Sequence, residues 1–241
     1  MKISLIIPAF NEEKLIAATL ASIRDASLAF THLGWQTELV VCDNNSTDRT
    51  AELARAAGAT VIFEPVNQIA RARNRGAFAA TGDWFIFIDA DSHPGADLFA
   101  DVAHAITHQP CLGGGATVQL DENHFFAGLL VHAWNLLSRV RRWAAGSFIF
   151  VQADAFRAIG GFSNELFASE EIDLSERLKK HARSHGKQLV ILHRHPLVTS
   201  ARKLHLYTPW EYARFLLRGA LMPGRTLRSR TACQPWYDGR R

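Results

Sequence analysis

Short apolar runs alternate with amphipathic segments along the first half of the chain. Four apolar runs have the length of strands and lie at residues 3–7, 38–42, 60–63 and 84–88. The segments between them carry apolar residues at helical spacing and cover 12–30, 48–57 and 69–80. This alternation predicts βαβ units in a mostly parallel sheet, and unbroken apolar strands indicate that helices cover both faces.

The second half of the chain has a less regular pattern. Helices are predicted at residues 96–108, 125–143 and 171–185. Strands are predicted at residues 116–120, 148–151 and 188–192. Three consecutive glycines, Gly113-Gly114-Gly115, are expected to break the helical pattern before the strand that starts at residue 116.

The composition is that of a globular chain. Of the 241 residues, 48% are hydrophobic and 21% are charged, which is enough apolar material for a substantial core. Three widely spaced cysteines argue against a disulfide framework and a zinc cluster, so we expect a reducing cytoplasm. We expect no signal peptide, since the first apolar run is too short, and no stretch approaches the ~20 apolar residues of a spanning helix.

The net charge of +4 favours anionic partners, and much of the basic excess lies in the extension 206–241. No recognised nucleic-acid-binding motif accompanies this charge, so nucleic acid is not an expected partner. Between Trp210 and Leu221, apolar and aromatic residues alternate with Arg214 and Arg218. That pattern suits either a helix packed on the domain or a helix lying on an anionic membrane surface.

The most informative motif is Asp89-Ala90-Asp91, directly after the apolar run 84–88. Unpaired carboxylates are costly to bury inside a sheet, so the strand is expected to end there, at the edge where open α/β sheets bind ligands. Residues i and i+2 of an extended segment face the same way. Asp89 and Asp91 are therefore candidates to bind one Mg²⁺ or Mn²⁺ ion.

Polar groups also follow the first two predicted strands. After the first, Asn11 is expected to cap the next helix, and Pro8, Asn11 and Glu12 are candidates to line a bound base. After the second, Asp43 either belongs to a turn or accepts hydrogen bonds from a ribose or a base.

Three arginines alternate at the start of the helix predicted at 69–80. The segment is either a solvated helix start or a phosphate site, where Arg71 or Arg73 binds phosphate and Asn74 the nucleoside.

Three strand ends, at Pro8, Asp43 and Asp89, thus carry polar groups that suit one nucleotide. Their convergence supports a nucleotide site more strongly than any single motif does.

Taken in order, these motifs resemble those of the family 2 glycosyltransferases, over about residues 1–205. The matching segments are Pro8-Ala9-Phe10-Asn11-Glu12, Asp43-Asn44-Asn45-Ser46-Thr47-Asp48, Ala72-Arg73-Asn74-Arg75-Gly76, Asp89-Ala90-Asp91, Gly146-Ser147-Phe148, Gly160-Gly161-Phe162 and Ser169-Glu170-Glu171-Ile172-Asp173-Leu174. The resemblance implies an α/β, GT-A-like fold with a mixed, mostly parallel sheet and a Rossmann-like nucleotide-binding half. It also implies an inverting enzyme that uses a divalent cation, Mn²⁺ or Mg²⁺.

The resemblance implies roles for the matching residues. Asp43 would contact the base, with Asn74 near it. Asp89 would bond the ribose or help bind the metal, and Asp91 would bind the metal. Arg202, in a Thr-Ser-x-Arg element, would contact the pyrophosphate or belong to a lid, unless this element is an exposed basic loop.

The resemblance places the catalytic base at Glu170 or Glu171. Many family members have Gly-Glu-Asp here, whereas this chain has Ser169-Glu170-Glu171. Either carboxylate would take the proton of an acceptor hydroxyl as it attacks the anomeric carbon. Both acids also suit the first turn of the following helix, which is their alternative role.

The leading hypothesis is transfer of one sugar from a UDP- or GDP-linked donor to a glycan, lipid-linked or small-molecule acceptor. The transferase domain would span 1–205, with a nucleotide-binding half, 1–92, and an acceptor-side half, 93–205. Processive relatives carry a Gln-x-x-Arg-Trp element that is absent here, which favours single transfer. The alternatives are a nucleotidyltransferase and a non-catalytic sugar-nucleotide-binding protein.

Overall fold

The computed structural model describes residues 1–122, 125–202 and 226–233. The helices in these ranges are α1 (Ile16–Ala26), α2 (Leu28–Thr31), α3 (Thr50–Ala56), α4 (Ile69–Ala79), α5 (Ala96–His108), α6 (Phe125–Arg141), α7 (Ala153–Ala158) and α8 (Glu170–Ser184). The strands are β1 (Lys2–Ala9), β2 (Gln36–Asp43), β3 (Thr60–Phe63), β4 (Trp84–Ile88), β5 (Ser92–His93), β6 (Cys111–Leu120), β7 (Phe148–Gln152) and β8 (Gln188–Thr199).

These strands form one mixed sheet in the order β3-β2-β1-β4-β7-β6-β8-β5. The first four are parallel, β7 is antiparallel to both β4 and β6, and β6 and β8 are parallel to each other. The predicted α/β fold with a mixed, mostly parallel sheet is therefore confirmed. The short elements β5 and α7 were not predicted from the sequence.

Helices cover both faces of the sheet. On one face, α1, α2 and α5 contribute Leu20, Phe30 and Phe99 to a continuous core. On the other face, α4, α7 and α8 contribute Ala77, Phe156 and Leu174 to a second core. This double cover explains why the strands lack the alternation of apolar and polar residues that marks a sheet with one wet face.

Parallel pairing brings the predicted strand ends to one edge of the sheet. Ala9 at the end of β1 lies opposite Asp43 at the end of β2. On its other side β1 pairs with β4, after which Asp89 follows directly. The polar groups that follow these strands therefore share one edge.

The helix predicted from residue 12 begins only at Ile16, so the predicted Asn11 cap is wrong. Asn11 has a left-handed backbone (φ 52°), and its Oδ1 accepts a hydrogen bond from the Thr47 backbone N–H at 2.8 Å. The chain after β1 thus first makes a turn tied to the loop after β2, and the helix starts beyond it.

The prediction that glycines 113–115 precede this strand is also wrong, because all three lie inside β6, which starts at Cys111. A Cβ on Gly114 would overlap the carbonyl oxygen of Val190 on β8, and one on Gly115 would lie 2.7 Å from Ala144 Cβ. Glycine here allows neighbouring backbone to approach closely and does not end the strand.

The last strand is longer than predicted. β8 continues past residue 192 to Thr199, and after an irregularity its residues 197–199 pair with β6 and its last two with β5. Over the residues that the structure describes, no helix is long and apolar enough to cross a membrane. The amphipathic segment at 210–221 lies outside those residues.

Candidate active site

The two acids of the Asp89-Ala90-Asp91 motif lie just after β4, but they have different partners. Asp89 Oδ1 accepts a hydrogen bond from the Arg73 guanidinium at 2.9 Å. Asp91 Oδ2 lies 3.6 Å from the Arg202 guanidinium. The acids therefore belong to two neighbouring clusters, each with its own arginine.

Arg73 on α4 is the centre of the first cluster and is almost fully buried. Its guanidinium donates hydrogen bonds to Asp89, to Glu170 Oε1 at 2.7 Å and to the Gly146 carbonyl at 2.7 Å. Burial lowers the pKa of Arg73, but the charges of Asp89 and Glu170 raise it more, so it stays above its ordinary value. The arginine therefore keeps its charge and joins α4, the end of β4 and the start of α8.

Glu170 and Glu171 begin α8, after Ser169, which has a left-handed backbone (φ 61°). Glu170 is buried and forms the ion pair with Arg73. Burial, followed by the nearby charge of Glu170, raises the pKa of Glu171 from 4.5 to about 8. Glu171 can therefore exchange its proton near neutral pH, which general base catalysis requires.

A cleft of about 240 Å³ connects these groups. Its lining includes Arg73, Asp89, Gly146, Ser147, Glu170 and Glu171. The end of β4 and the start of α8 therefore face one solvent-accessible space, which allows a carboxylate of α8 and a group held at Asp89 to meet the same substrate.

The second cluster joins residues that are far apart in sequence. Arg202, just beyond β8, donates two hydrogen bonds of 2.9 Å to the two carboxylate oxygens of Glu12. Burial lowers the pKa of Arg202, but the hydrogen bond and charge of Glu12, with the charge of Asp91, raise it more. The backbone N–H of Ser200 donates to the Asp91 carbonyl at 3.0 Å, which holds the chain after β8 against the acid motif.

Asp43 and its neighbours shape the opening between β1 and β2. Asp43 is buried at the end of β2 and accepts a hydrogen bond from the Ser46 backbone N–H at 3.1 Å. Asn44 donates to the carbonyls of Glu64 and Val66. Pro8 lies within β1, opposite Cys42. The loop after β2 is thus held by one internal hydrogen bond and by contacts to the segment that follows β3.

Asn74 has partners that the sequence did not suggest. Its amide exchanges two hydrogen bonds with the backbone of Phe162, at 2.8 and 2.9 Å, and donates to Asn164 Oδ1 at 3.1 Å. Gly161 has φ 69°, and a Cβ there would lie 2.6 Å from Asn74 Oδ1. In the structure, Asn74 fixes the Gly160-Gly161-Phe162 turn against α4.

The donors at the acid motif suit a hard divalent cation. Carboxylate oxygens are the ligands that Mg²⁺ and Mn²⁺ prefer, and Mg²⁺ commonly uses one or two of them together with substrate phosphates. Asp91 already faces a cationic group at 3.6 Å, so this position holds positive charge. Within the described ranges, no three His, Cys, Asp or Glu side chains cluster to form a complete protein-only site.

Sequence reasoning missed two contacts within the site. The Gly146 carbonyl accepts a hydrogen bond from Arg73, yet backbone acceptors leave no mark in a sequence. The Glu12–Arg202 pair joins positions 190 residues apart, and nothing local predicts it. Asp43, Asp89 and Asp91 were found because each follows an apolar strand.

Comparison with known proteins gives one family. The model of glycosyl transferase family 2 matches residues 4–152. An uncharacterised glycosyltransferase of Mycobacterium bovis is 37% identical over 89 residues, which are 37% of this chain and 36% of that protein. The match therefore spans only about a third of that relative's length.

Solved structures share the fold. A mannosyltransferase of Pyrobaculum calidifontis has a TM-score of 0.67 at 18% identity, covering 92% of this chain and 62% of that one. Glucosyl-3-phosphoglycerate synthase of Mycobacterium tuberculosis has a TM-score of 0.61 at 21% identity, covering 96% and 80%. At these identities the likeness is one of architecture.

Proposed function

The chain belongs to glycosyl transferase family 2, and from that premise we propose that it moves one sugar from a nucleotide-diphosphate sugar to a hydroxyl acceptor, with inversion. The observation that carries the proposal is the cleft in which Arg73 holds Asp89 and Glu170 together, with Glu171 beside them. Such a cleft can hold the reacting end of a donor next to a carboxylate base.

Glu171 is our choice for the base. Glu170 is committed to Arg73, whereas the raised pKa of Glu171 makes it a competent proton acceptor near neutral pH. Its carboxylate would take the acceptor O–H proton while the acceptor oxygen bonds to the anomeric carbon and the bond to the nucleotide diphosphate breaks. One such displacement inverts the anomeric centre and requires no nucleophile on the protein.

The nucleotide would lie along the carboxyl ends of β1, β2 and β4. Asp43 would accept hydrogen bonds from the base or ribose, beside Pro8 and Asn11, and Asn74 would act by shaping the adjoining turn. Arg202 keeps an Nε–H group without a hydrogen-bond partner in the part of the chain described, which suits it to a phosphate oxygen.

Asp91 would hold a divalent cation, with Asp89 as a second ligand. The bound cation would offset the negative charge that develops on the leaving nucleotide diphosphate. The mannosyltransferase of Pyrobaculum calidifontis is solved with GDP-mannose and Mn²⁺, and the Mycobacterium tuberculosis synthase with Mn²⁺ and UDP. Those complexes support a UDP- or GDP-linked donor and Mn²⁺ or Mg²⁺ here, with a glycan, lipid-linked or small-molecule acceptor.

The test is a thermal-shift panel of UDP, GDP, CDP and TDP, each with Mn²⁺, Mg²⁺ or EDTA. A ligand that binds the folded state raises its melting temperature. We expect one nucleotide to stabilise the wild type only with metal, Asp91→Asn to lose that response, and Asp25→Asn, an exposed acid on α1, to keep it.

Transfer is then assayed with the sugar donors of the selected nucleotide, by release of nucleoside diphosphate. Glu171→Gln should keep the metal-dependent thermal shift and lose turnover. A wild type with no nucleotide response under any metal contradicts the proposal. Binding without release of nucleoside diphosphate, over a panel of acceptors, would favour the non-catalytic alternative.

A further inference from the structure

Helix α6 exposes a continuous apolar face. Leu129, Leu130, Leu136, Leu137 and Val140 are 40–72% exposed, and Ala133 lies among them. At 100° per residue these positions fall within about 120° of the helix circumference. We call this set of six residues the leucine face.

The opposite side of α6 is firmly attached to the domain. Asn135 exchanges two hydrogen bonds with the Val118 backbone on β6, at 2.8 and 3.0 Å. Val131, on the same side, packs against the main core. Trp134 packs against the main core. The leucine face is therefore exposed on a docked helix and does not result from a helix that has failed to pack.

Positive charge flanks the leucine face on both sides. From their positions on the helix, Arg139 projects on one side of the face and Arg141 on the other, and Arg142 follows directly; all three are exposed. No Asp or Glu occurs anywhere between residues 123 and 153. A leucine stripe bordered by arginines and free of acids is the pattern of a helix that lies in a membrane interface.

We propose that α6 binds the surface of an anionic membrane, with the leucine face in the lipid and the arginines at the headgroups. Charge argues against two other binding partners for the leucine face. A second copy of α6 would bring three more arginines and no carboxylate from its own helix, so the positive charge at the contact would stay uncompensated. The segment 203–225 of this chain carries four basic residues against Glu211 alone, so it too is a poor electrostatic match.

The location of α6 gives this binding a consequence for the cleft. Four residues separate the end of α6 from Gly146 and Ser147, which line the cleft. If the chain is the proposed transferase, a membrane-bound α6 would bring the cleft close to the lipid surface. Acceptors that are themselves held at the membrane are then favoured.

The experiment is co-sedimentation of the 241-residue chain with vesicles of phosphatidylcholine, alone or mixed with phosphatidylglycerol, without metal or nucleotide. We expect binding to the mixed vesicles only. Leu130→Ser with Leu137→Ser should weaken it at least about tenfold, since each leucine loses apolar burial in the bilayer. The matched control is Leu28→Ser with Leu33→Ser, two leucines of similar exposure at α2, which should bind as the wild type does.

A charge variant, Arg139→Gln with Arg142→Gln, should weaken binding to the mixed vesicles and make it less sensitive to salt. Three results would overturn the proposal: no binding by the wild type, equal loss in the α2 control, or a wild-type dimer that the α6 leucine variant converts to a monomer without any vesicle binding. Because neither metal nor donor is present, the outcome is independent of whether the nucleotide panel succeeds.

Discussion

The side chain of Arg73 contacts three different groups of the site. It is buried, it forms ion pairs with both Asp89 and Glu170, and it donates a hydrogen bond to the carbonyl of Gly146. Removing one member of a buried ion pair leaves an uncompensated charge, which costs far more than the pair contributes as a whole. The planar fork of the guanidinium is also required, since an ammonium group cannot bond three acceptors in these directions.

Arg73→Lys keeps the charge but cannot keep all three hydrogen bonds, so it should lower the free energy of unfolding by about 2 kcal/mol. Arg75→Lys, an exposed arginine on the same helix, should change it by less than about 0.5 kcal/mol. Urea unfolding of both variants measures the difference. Equal stabilities would show that Arg73 acts as a simple charge and that its three hydrogen bonds contribute little.

The raised pKa of Glu171 makes stability depend on pH. Between its ordinary pKa of 4.5 and the folded value of about 8, the folded state binds more protons than the unfolded state. Stability therefore falls as pH rises through this window, by up to about 1.4 kcal/mol per pH unit. Glu171→Gln should remove that slope, so its stability gain over the wild type should grow with pH and level off above about 8.

The control for this series is Glu52→Gln, the same substitution at an exposed site on α3. Arg49 lowers the pKa of Glu52, so Glu52 titrates below the window and its variant should keep the wild-type slope. Urea midpoints at several pH values, in metal-free buffer, give the slopes. A Glu171→Gln profile parallel to the wild type would refute the shift.

Among the elements, β6 shows how a glycine run can build a strand. Its glycines lie between β7 and β8, where a Cβ on Gly114 would overlap backbone atoms of Val190. Backbone cannot give way as the end of a flexible side chain can. The approach of β8 to β6 therefore depends on the missing side chain.

Gly114→Ala should destabilise the chain by about 3 kcal/mol or more, through strain in the β6–β8 pairing. The matched change Gly128→Ala lies in α6 with open space around the new Cβ, and should stabilise by up to about 1 kcal/mol. Thermal unfolding will show whether each variant is less stable or more stable than the wild type. A neutral Gly114→Ala would mean that the two strands can move apart at no cost.

The elements that were predicted well are those whose pattern is local. Residues 60–63, 84–88 and 96–108 carry complete strand or helix patterns and match the structure at both ends. Asn11 and the β6 glycines were misread because their use depends on a neighbour: Thr47 for one, Val190 for the other. Composition could not reveal either contact.

In the candidate site too, local patterns could be predicted from the sequence and distant contacts could not. Acids after apolar strands are visible in a sequence, because strand ends meet at a sheet edge. The partners of those acids are not visible, since Arg202 reaches Glu12 from 190 residues away and Asn74 serves a turn beyond residue 160. Side-chain pairing is fixed by tertiary packing, which no local pattern encodes.

At the scale of the whole molecule, one sheet serves both proposed halves, 1–92 and 93–205. β4 of the first half pairs with β7 of the second along its full length. Both cores contain residues from each half, such as Ile3 with Leu197 and Phe87 with Phe162. A cut at residue 92 would expose an edge of β4 and open both cores, so the halves are expected to differ in function and to fold together.

We therefore expect the two halves to unfold in one cooperative transition. Trp35 and Trp84 report on the first half, and Trp134 and Trp143 on the second. After Trp210 and Trp236 are replaced by Phe, one further variant removes the first pair of tryptophans and another removes the second pair. Within each variant, the urea midpoint by fluorescence should equal the midpoint by far-UV circular dichroism, because a two-state unit reports one transition to every probe.

The comparison is made within each variant because replacing Trp84, which is buried, will itself shift stability. A fragment of residues 1–92 provides the control. It should lack near-UV circular dichroism, because β7 no longer pairs with β4 and because α5 and α8 no longer cover the faces of its sheet. If one half instead unfolds at a lower urea concentration than the other, or if the fragment folds alone, then residues 1–92 form a separate domain and the second half packs on it. In that case the Arg73–Glu170 pair would be a contact between domains, and losing it would disconnect the halves without unfolding either.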